Sequence, residues 1–315
     1  MNLRNIPLWQ IATALLLVAF LVTGGWYYYH ISNRIVWSMI HVSGDIYSGD
    51  AHVLEFPTGH IVLIDTGFER FTNRNLIPYL DQRGIDHIDE LIVTHAHRNH
   101  YGGIKSLLRH LKYIDTIYFN VPPRKPCDKE NWSTGCNYGH VLQTRKLIEE
   151  SGTELRDLKT DQLLYNNDEQ DTFLEVVFVH DGESEPVGKT DINDTSALLR
   201  LVYGSTTVLF TGDVNRKVGR HLVEDHYFLE STIVTAPHHG VDGAASNEFL
   251  DKVNAKVLMV SNSARHWQGT RGDRIRQFAQ DHGIQTYVTG LHGNVIVTLT
   301  RDGFEVNTAG LPQRN

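Results

Sequence analysis

From Ile35 onward, short apolar runs bounded by turn residues alternate with helix-length amphipathic stretches. "IVWSMIHV", "AHVLEF" and "HIVLIDTG" read as three strands, parted by Gly44, Gly49, Asp50, Pro57 and Gly59. "TNRNLIPYLDQRG" reads as a helix stopped near Gly84, "ELIVTH" as a strand, "GGIKSLLRHLKY" as a helix and "IDTIYFNV" as a strand. A turn-rich stretch follows, then a helix around "GHVLQTRKLIEES". The second half repeats this style. Strands are expected at "TFLEVVFVH", "TSALLRLVYG" and "TTVLFTGD", then a helix from Val214 to about Asp225, then a strand and loop at "STIVTAPHHG". It closes with a helix near "SNEFLDKV", a strand at "AKVLMVSN", a helix near "RIRQFAQDHG", and strands at "IQTYVTG" and "NVIVTL". This order suggests two related α/β halves, each with a mixed sheet. Packed face to face with helices outside, the sheets would bury their strands on both sides, in an αββα four-layer sandwich. Chemistry would then lie on the loops that leave the strands.

The first 34 residues break the pattern. Between Arg4 and His30 there is no charged residue, and "LWQIATALLLVAFLVTGGWYYY" is apolar almost throughout. Trp9 and the cluster from Trp26 to Tyr29 bracket it about 17 residues apart, or roughly 26 Å as a helix. That is close to a hydrocarbon core of about 30 Å with aromatic residues at both interfaces. A membrane anchor over residues 1–34 is expected, with one large domain over 35–315. The alternative is a cleaved signal peptide, for which "VTG" at Val22 to Gly24 offers a small-residue site. Both readings export the rest of the chain, to the periplasmic face of a membrane. Cysteine usage agrees with export. Cys127 and Cys136, the only two, fall in the turn-rich "VPPRKPCDKENWSTGCNYG" and read as a disulfide, with free thiols or half of a metal clip as alternatives.

Composition adds two constraints. Hydrophobic residues at 41% and charged residues at 21% describe a globular chain, long enough at 315 residues for a sizeable core. The net charge of -8 argues against a surface that grips polyanions throughout, while leaving room for a local basic groove. Histidine is abundant, with 18 residues, which suits metal chemistry.

Three of those histidines, His95, His97 and His100, lie within six residues of "THAHRNHYGG", just past a strand. A lone histidine is ordinarily a surface or core residue; three so placed point to metal ligation, since neutral imidazole suits zinc, and manganese or iron when oxygen ligands join it. Asp213 ends an apolar strand in "VLFTGDV", where a carboxylate can bridge two cations; alone this is weak, because turns are rich in Asp. His238 and His239 in "TAPHHG" sit past another strand end, one to ligate and the other to donate to a substrate oxygen. All three motifs converge on one edge of the predicted sheets.

"THAHRNHYGG" resembles the HxHxDH signature of the metallo-β-lactamase superfamily. "GDAHVLEFPTGHIVLIDTG", "NDTSALLRLVYGSTTVLFTGD" and "TAPHHG" resemble the corresponding blocks of one branch, the hydrolase domain of ComEC-type competence proteins and related single-domain hydrolases. The resemblance runs from about Ile35 to the C-terminus. It implies a sandwich with one or two zinc ions, or manganese, between the sheets. His95 and His97 would bind the first ion, His100 and His238 the second, with Asp213 bridging. Asp65 in "LIDTG" would orient a ligand, unless it is simply a strand-end turn residue. His180, Asn193 and Asp194 are candidates for the first ion's third ligand. His239 and His266 would contact substrate or leaving group, or else be solvent histidines.

Asn99 departs from the pattern, standing where the family has a metal-binding aspartate. Its neutral carbonyl removes a full negative charge from the second ion's surroundings. At about 4 Å, unit charges interact by roughly 4 kcal/mol at an effective dielectric near 20, so a weaker second site is expected. The resemblance implies hydrolysis by metal-activated water, of a phosphodiester in nucleic acid or a small molecule, or of an ester. The alternative is a membrane-tethered, non-catalytic binding or assembly module.

Overall fold

The computed structural model describes residues 33–130, 132, 135–180 and 191–310. The N-terminal anchor and its signal-peptide alternative lie outside the described residues. Among the described residues, no helix is long and apolar enough to cross a membrane.

Alternation of side chains along each strand builds two sheets. The first holds β1 (Ile35–Met39), β2 (His52–Glu55), β3 (Ile61–Ile64), β4 (His87–Ile92), β5 (Tyr113–Tyr118) and β6 (Glu154–Arg156) in sequence order. The second begins with β7 (Leu163–Asn167), β8 (Thr172–Phe178), β9 (Leu198–Tyr203) and β10 (Thr206–Phe210). It continues with β11 (Ile233–Thr235), β12 (Val257–Val260) and β13 (Gln285–Val288). The chain then returns to the first sheet: β14 (Val295–Thr300) pairs antiparallel with β1, and β15 (Gly303–Thr308) pairs with β14. That return corrects the reading of two sequence-contiguous halves. Both sheets are mixed, with β3 to β6 parallel in one and β10 to β13 parallel in the other.

Three hydrophobic cores give four layers. Ile35, Trp37 and Met39 of β1 face Leu199, Leu201, Val208 and Phe210 across the space between the sheets. Trp37 is fully buried, edge-on to Phe210 at 5.0 Å. On the outer face of the first sheet lie α1 (Ile77–Arg83), α2 (Ile104–His110) and α3 (Tyr138–Ser151), through Leu80, Leu107 and Ile148 among others. The second sheet's outer face takes α4 (Arg216–Glu224), α5 (Asn247–Val253) and α6 (Asp273–Asp281), through Leu222, Phe249 and Phe278. Local chemistry sets the helix starts: Asn137, Asn215 and Ser246 each accept a first-turn amide.

Neighbouring parallel strands end at the same edge, so the loops after β3 and β4, and after β10 and β11, open on one side of the sandwich. Ala197 N donates to Thr94 O at 2.9 Å, tying the two sheets there.

Candidate metal centre

Each loop places its side chain for a local reason. After β3 the backbone turns sharply, and Asp65 takes a left-handed φ of 59°, a conformation that Asp tolerates better than most residues. Its carboxylate accepts Thr94 N and Thr94 Oγ1, both at 2.8 Å, and its Oδ2 lies 2.8 Å from His100 Nδ1. The loop after β4 carries His95 in a bend and His97 in extended backbone, then a single helical turn, Arg98–Tyr101, that turns His100 inward. Gly103 follows because a Cβ there would overlap Thr72.

Asp213 stands between these histidines and the loop after β11. Its Oδ1 lies 3.4 Å from both His100 Nε2 and His239 Nε2. Oδ2 lies 3.6 Å from His95 Nε2 and 3.9 Å from His238 Nε2. Two clusters with ligand spacing share this carboxylate: His95, His97 and Asp213, and Asp50, His100, Asp213 and His239. A third cluster joins His97 to Glu130 and Asp191.

The donor set fits a divalent cation. His95 Nε2, His100 Nε2 and Asp213 Oδ1 are buried without any hydrogen-bond partner, an arrangement that ordinarily costs about 1–3 kcal/mol per group. His100 Nε2 stands 3.4 Å from Asp213 Oδ1 and His95 Nε2 stands 3.6 Å from Asp213 Oδ2, the spacing of neighbouring ligands on an ion, since donors about 2.0–2.1 Å from tetrahedral zinc stand roughly 3.4 Å apart. Electrostatics agrees. Burial opposes charge on His100, but Asp213 and Asp65 outweigh it and hold its pKa well above the usual value. Burial likewise opposes ionisation of Asp213, yet His239 and His100 keep it ionised well below the usual range. His95, with less help from Asp213 than its burial demands, is pushed well down. The cluster draws positive charge to its centre.

The pairing expected from sequence changes in one place. In the Pro237–Gly240 turn, His238 and His239 both have left-handed φ values, 48° and 55°, and their rings, 6.2 Å apart, approach different oxygens of Asp213. His239 turns inward, beside His100 and Asp50, and takes the place expected of His238. His238 keeps a side chain 23% exposed at the mouth. Asn99 is buried, its Nδ2 2.9 Å from His239 Nε2. His266 is partly exposed and belongs to none of the three clusters. His180, stacked on Phe178, and the fully buried Asp194, which accepts from Asn215 Nδ2 at 2.6 Å, also stand outside these clusters. Asn193 is buried with its Oδ1 unpartnered, outside these clusters as well. Cys127 and Cys136 form the expected disulfide.

Sequence reasoning missed Asp50, Glu130, Asp191 and Asn262. Asp50 lies behind His239, 3.6 Å from Nδ1; despite the cost of burial, His239 and its other histidine neighbours bring its pKa down to about 2. It faces Nδ1 of His239 and of His100, whereas Asp213 faces their Nε2 atoms, which suits an orienting carboxylate better than a ligand. Asn262, fully buried, donates to His239 O at 2.8 Å and accepts from Ser48 Oγ at 2.7 Å, fixing the turn. The "SGD" before β2 is a signal that could have flagged Asp50. Glu130 lay in a stretch read only for its cysteines.

Comparison with known proteins follows the same lines. The family model of the metallo-beta-lactamase superfamily matches residues 44–118. ComE operon protein 3 of Bacillus subtilis is 24% identical over 220 residues, which cover 70% of this chain and 26% of that protein. Endoribonuclease YSH1 of Candida glabrata is 21% identical over 210 residues, 59% of this chain and 25% of that one. The chain thus spans about a quarter of the length of these relatives. Among solved structures, a mutant of CmlA beta-hydroxylase shares the fold with a TM-score of 0.50 and 14% identity, covering 84% of this chain and 54% of that one.

Proposed function

We propose that the chain, whose residues 44–118 match the model of the metallo-beta-lactamase superfamily, is a metal-dependent hydrolase acting on a phosphodiester, in nucleic acid or a small molecule. One observation carries this reading: buried imidazole and carboxylate atoms without hydrogen-bond partners converge around Asp213. A zinc or manganese ion bound there would supply Lewis acidity and bring water's pKa toward neutrality. His95, His97 and one oxygen of Asp213 would hold one ion; His100, His239, Asn99 and the other oxygen would hold a second. Asp65 fixes the His100 ring by occupying Nδ1, which leaves Nε2 for the ion. Asp50, 3.6 Å from His239 Nδ1, would steer that ring through its charge rather than through a direct hydrogen bond. His238, partly open at the mouth and lowered in pKa by burial despite Asp213, is the residue placed to take or give a proton at the substrate. His266 is assigned to the outer rim.

The phosphodiester class is favoured by the endoribonuclease among the relatives; esters remain the next class to assay. Membrane tethering through the apolar N-terminus, with the catalytic domain on the periplasmic side, belongs to the same proposal. A second reading, a non-catalytic tethered module, is favoured by Asn99 alone. The test is elemental analysis of the purified full chain, joined to hydrolysis of bis-p-nitrophenyl phosphate and single-stranded nucleic acid with zinc and manganese. Bound metal and chelator-sensitive turnover are expected. A chain that carries no metal and turns over nothing with either ion overturns the hydrolase in favour of the module.

A further inference from the structure

The loop closed by Cys127 and Cys136 has no task in the hydrolase described above, yet it reaches into the site. Its Glu130 is a charged residue from a surface loop, but only 7% exposed. Glu130 Oε2 lies 2.7 Å from His97 Nε2 and accepts the Cys136 amide at 2.8 Å. Oε1 accepts the Ile192 amide at 2.9 Å. One carboxylate therefore joins three segments: the disulfide loop, the turn after Asp191, and the histidine loop. The Cys127–Cys136 bond brackets it, and Glu130 N donates to Cys127 O at 3.1 Å.

An imidazole has two nitrogens, and a carboxylate that accepts from one fixes both the tautomer and the ring orientation. With Nε2–H aimed at Glu130, the lone pair of His97 is on Nδ1, which would then be the nitrogen free to ligate alongside His95 and Asp213. Glu130 could itself be a ligand on spacing alone. Its oxygens already meet three donors, however, which suits an orienting acceptor better. Resting on the metal-centre reading proposed above, we infer that Glu130 is a positioning residue for His97, clamped by the Cys127–Cys136 disulfide. The cysteine loop thereby sets how tightly the His95, His97 and Asp213 half holds a divalent cation.

Two measurements on the full chain test this. The first is zinc affinity by competition with a chelator, for the parent, Glu130→Gln, Cys127→Ala/Cys136→Ala and the triple variant. Loss of an outer partner typically costs 10–100-fold in metal affinity. Glu130→Gln is expected to lose about that much, with unchanged stoichiometry at saturation. The cysteine pair should lose a comparable amount, and the triple variant no more than Glu130→Gln alone, because all act through one hydrogen bond. The second is nitrogen-15 NMR of His97 in the ion-free chain. The Nε2–H tautomer is expected in the parent and its loss in Glu130→Gln. Should Glu130→Gln fold poorly, Glu130→Asp keeps the charge, retracts the acceptor and should give an intermediate affinity. An affinity within twofold of the parent in the Gln variant, a parent His97 protonated at Nδ1, or a lost equivalent of zinc overturns the positioning role. Additive losses in the triple variant overturn the part given to the disulfide. If the parent binds no zinc, the metal reading fails by itself, and the tautomer still decides whether the clamp exists.

Discussion

The two halves of the centre meet at one carboxylate but are built differently. Around Asp213 Oδ1, His100 and His239 are each backed by a buried aspartate, Asp65 and Asp50, that sits beside a strand of the first sheet. Around Oδ2, His95 is backed by the Thr94 hydroxyl at 3.2 Å, and His97 by Glu130 from a long loop. The first arrangement is rigid but carries a neutral amide, Asn99, beside His239. The second keeps its histidines but borrows its supporting carboxylate from a cross-linked surface segment. A site can thus be stabilised either by charge built into the sheet edge or by charge brought to it. The two solutions fail differently.

Removing what the halves share has the largest expected effect. Asp213→Asn leaves four imidazoles without their common anion, so zinc affinity should fall by more than about 100-fold, beyond the 10–100-fold typical of an outer partner. Chelator competition reads this directly. Retention of one tight equivalent would mean that one half holds its ion without Asp213. Next comes Asp65→Asn, aimed at the rigid half alone. It leaves His100 free to rotate and Thr94 with a weaker acceptor. A loss of about 10–100-fold in metal affinity is expected, with about 1–3 kcal/mol lost in urea denaturation of the ion-free chain. Equal stability with lower affinity would show that Asp65 serves the ion only.

The same contrast explains what was legible in the sequence. Asp213 and His95 follow apolar strands, so pattern alone put them at a sheet edge, and the resemblance supplied their partners. Glu130 had no such context, because its contact with His97 spans a loop whose path depends on tertiary folding. The swap of His238 and His239 was equally hidden: which of two adjacent histidines turns inward depends on backbone angles that no side-chain pattern encodes. In the fold, the strands missed were β6, β7 and β15, all at sheet edges. Edge strands bury little, as the exposed and half-buried residues of β6 show, so apolar alternation is weak where only one neighbour pays for order. The central strands, buried on both faces, were read with small errors in their ends.

Asn99→Asp sharpens the comparison from the other side by returning charge to the rigid half. The gross attraction of about 4 kcal/mol at 4 Å is largely offset by desolvation of the new carboxylate. A net tightening of about tenfold in the weaker zinc equivalent is expected, with the tighter equivalent unchanged. Tightening of both would show that the halves are not independent. No change in either would show that Asn99 does not face an ion.

A half-buried carboxyl with no histidine in front of it provides the control. Glu90 lies in β4, a few residues before His95, with Oε2 buried and unpartnered. Burial, helped by the neighbouring Asp89, pushes its pKa from the ordinary 4.5 up to about 7, whereas Asp50, facing histidines, is pulled down to about 2. The folded chain therefore holds the Glu90 proton more tightly than the unfolded chain. Its contribution to stability is complete below pH 4.5, declines as pH rises to about 7, and is level above that. At about 1.4 kcal/mol per pKa unit the loss is at most roughly 3 kcal/mol, and about 1 kcal/mol once solvent around the partly exposed carboxyl is allowed for. Glu90→Gln should accordingly be more stable than the parent at pH 8 by about 1 kcal/mol, with the gap closing near pH 5. Urea midpoints across that range check it. A gap independent of pH would trace the effect to packing rather than charge, and the contrast with Asp50 would lose its electrostatic basis.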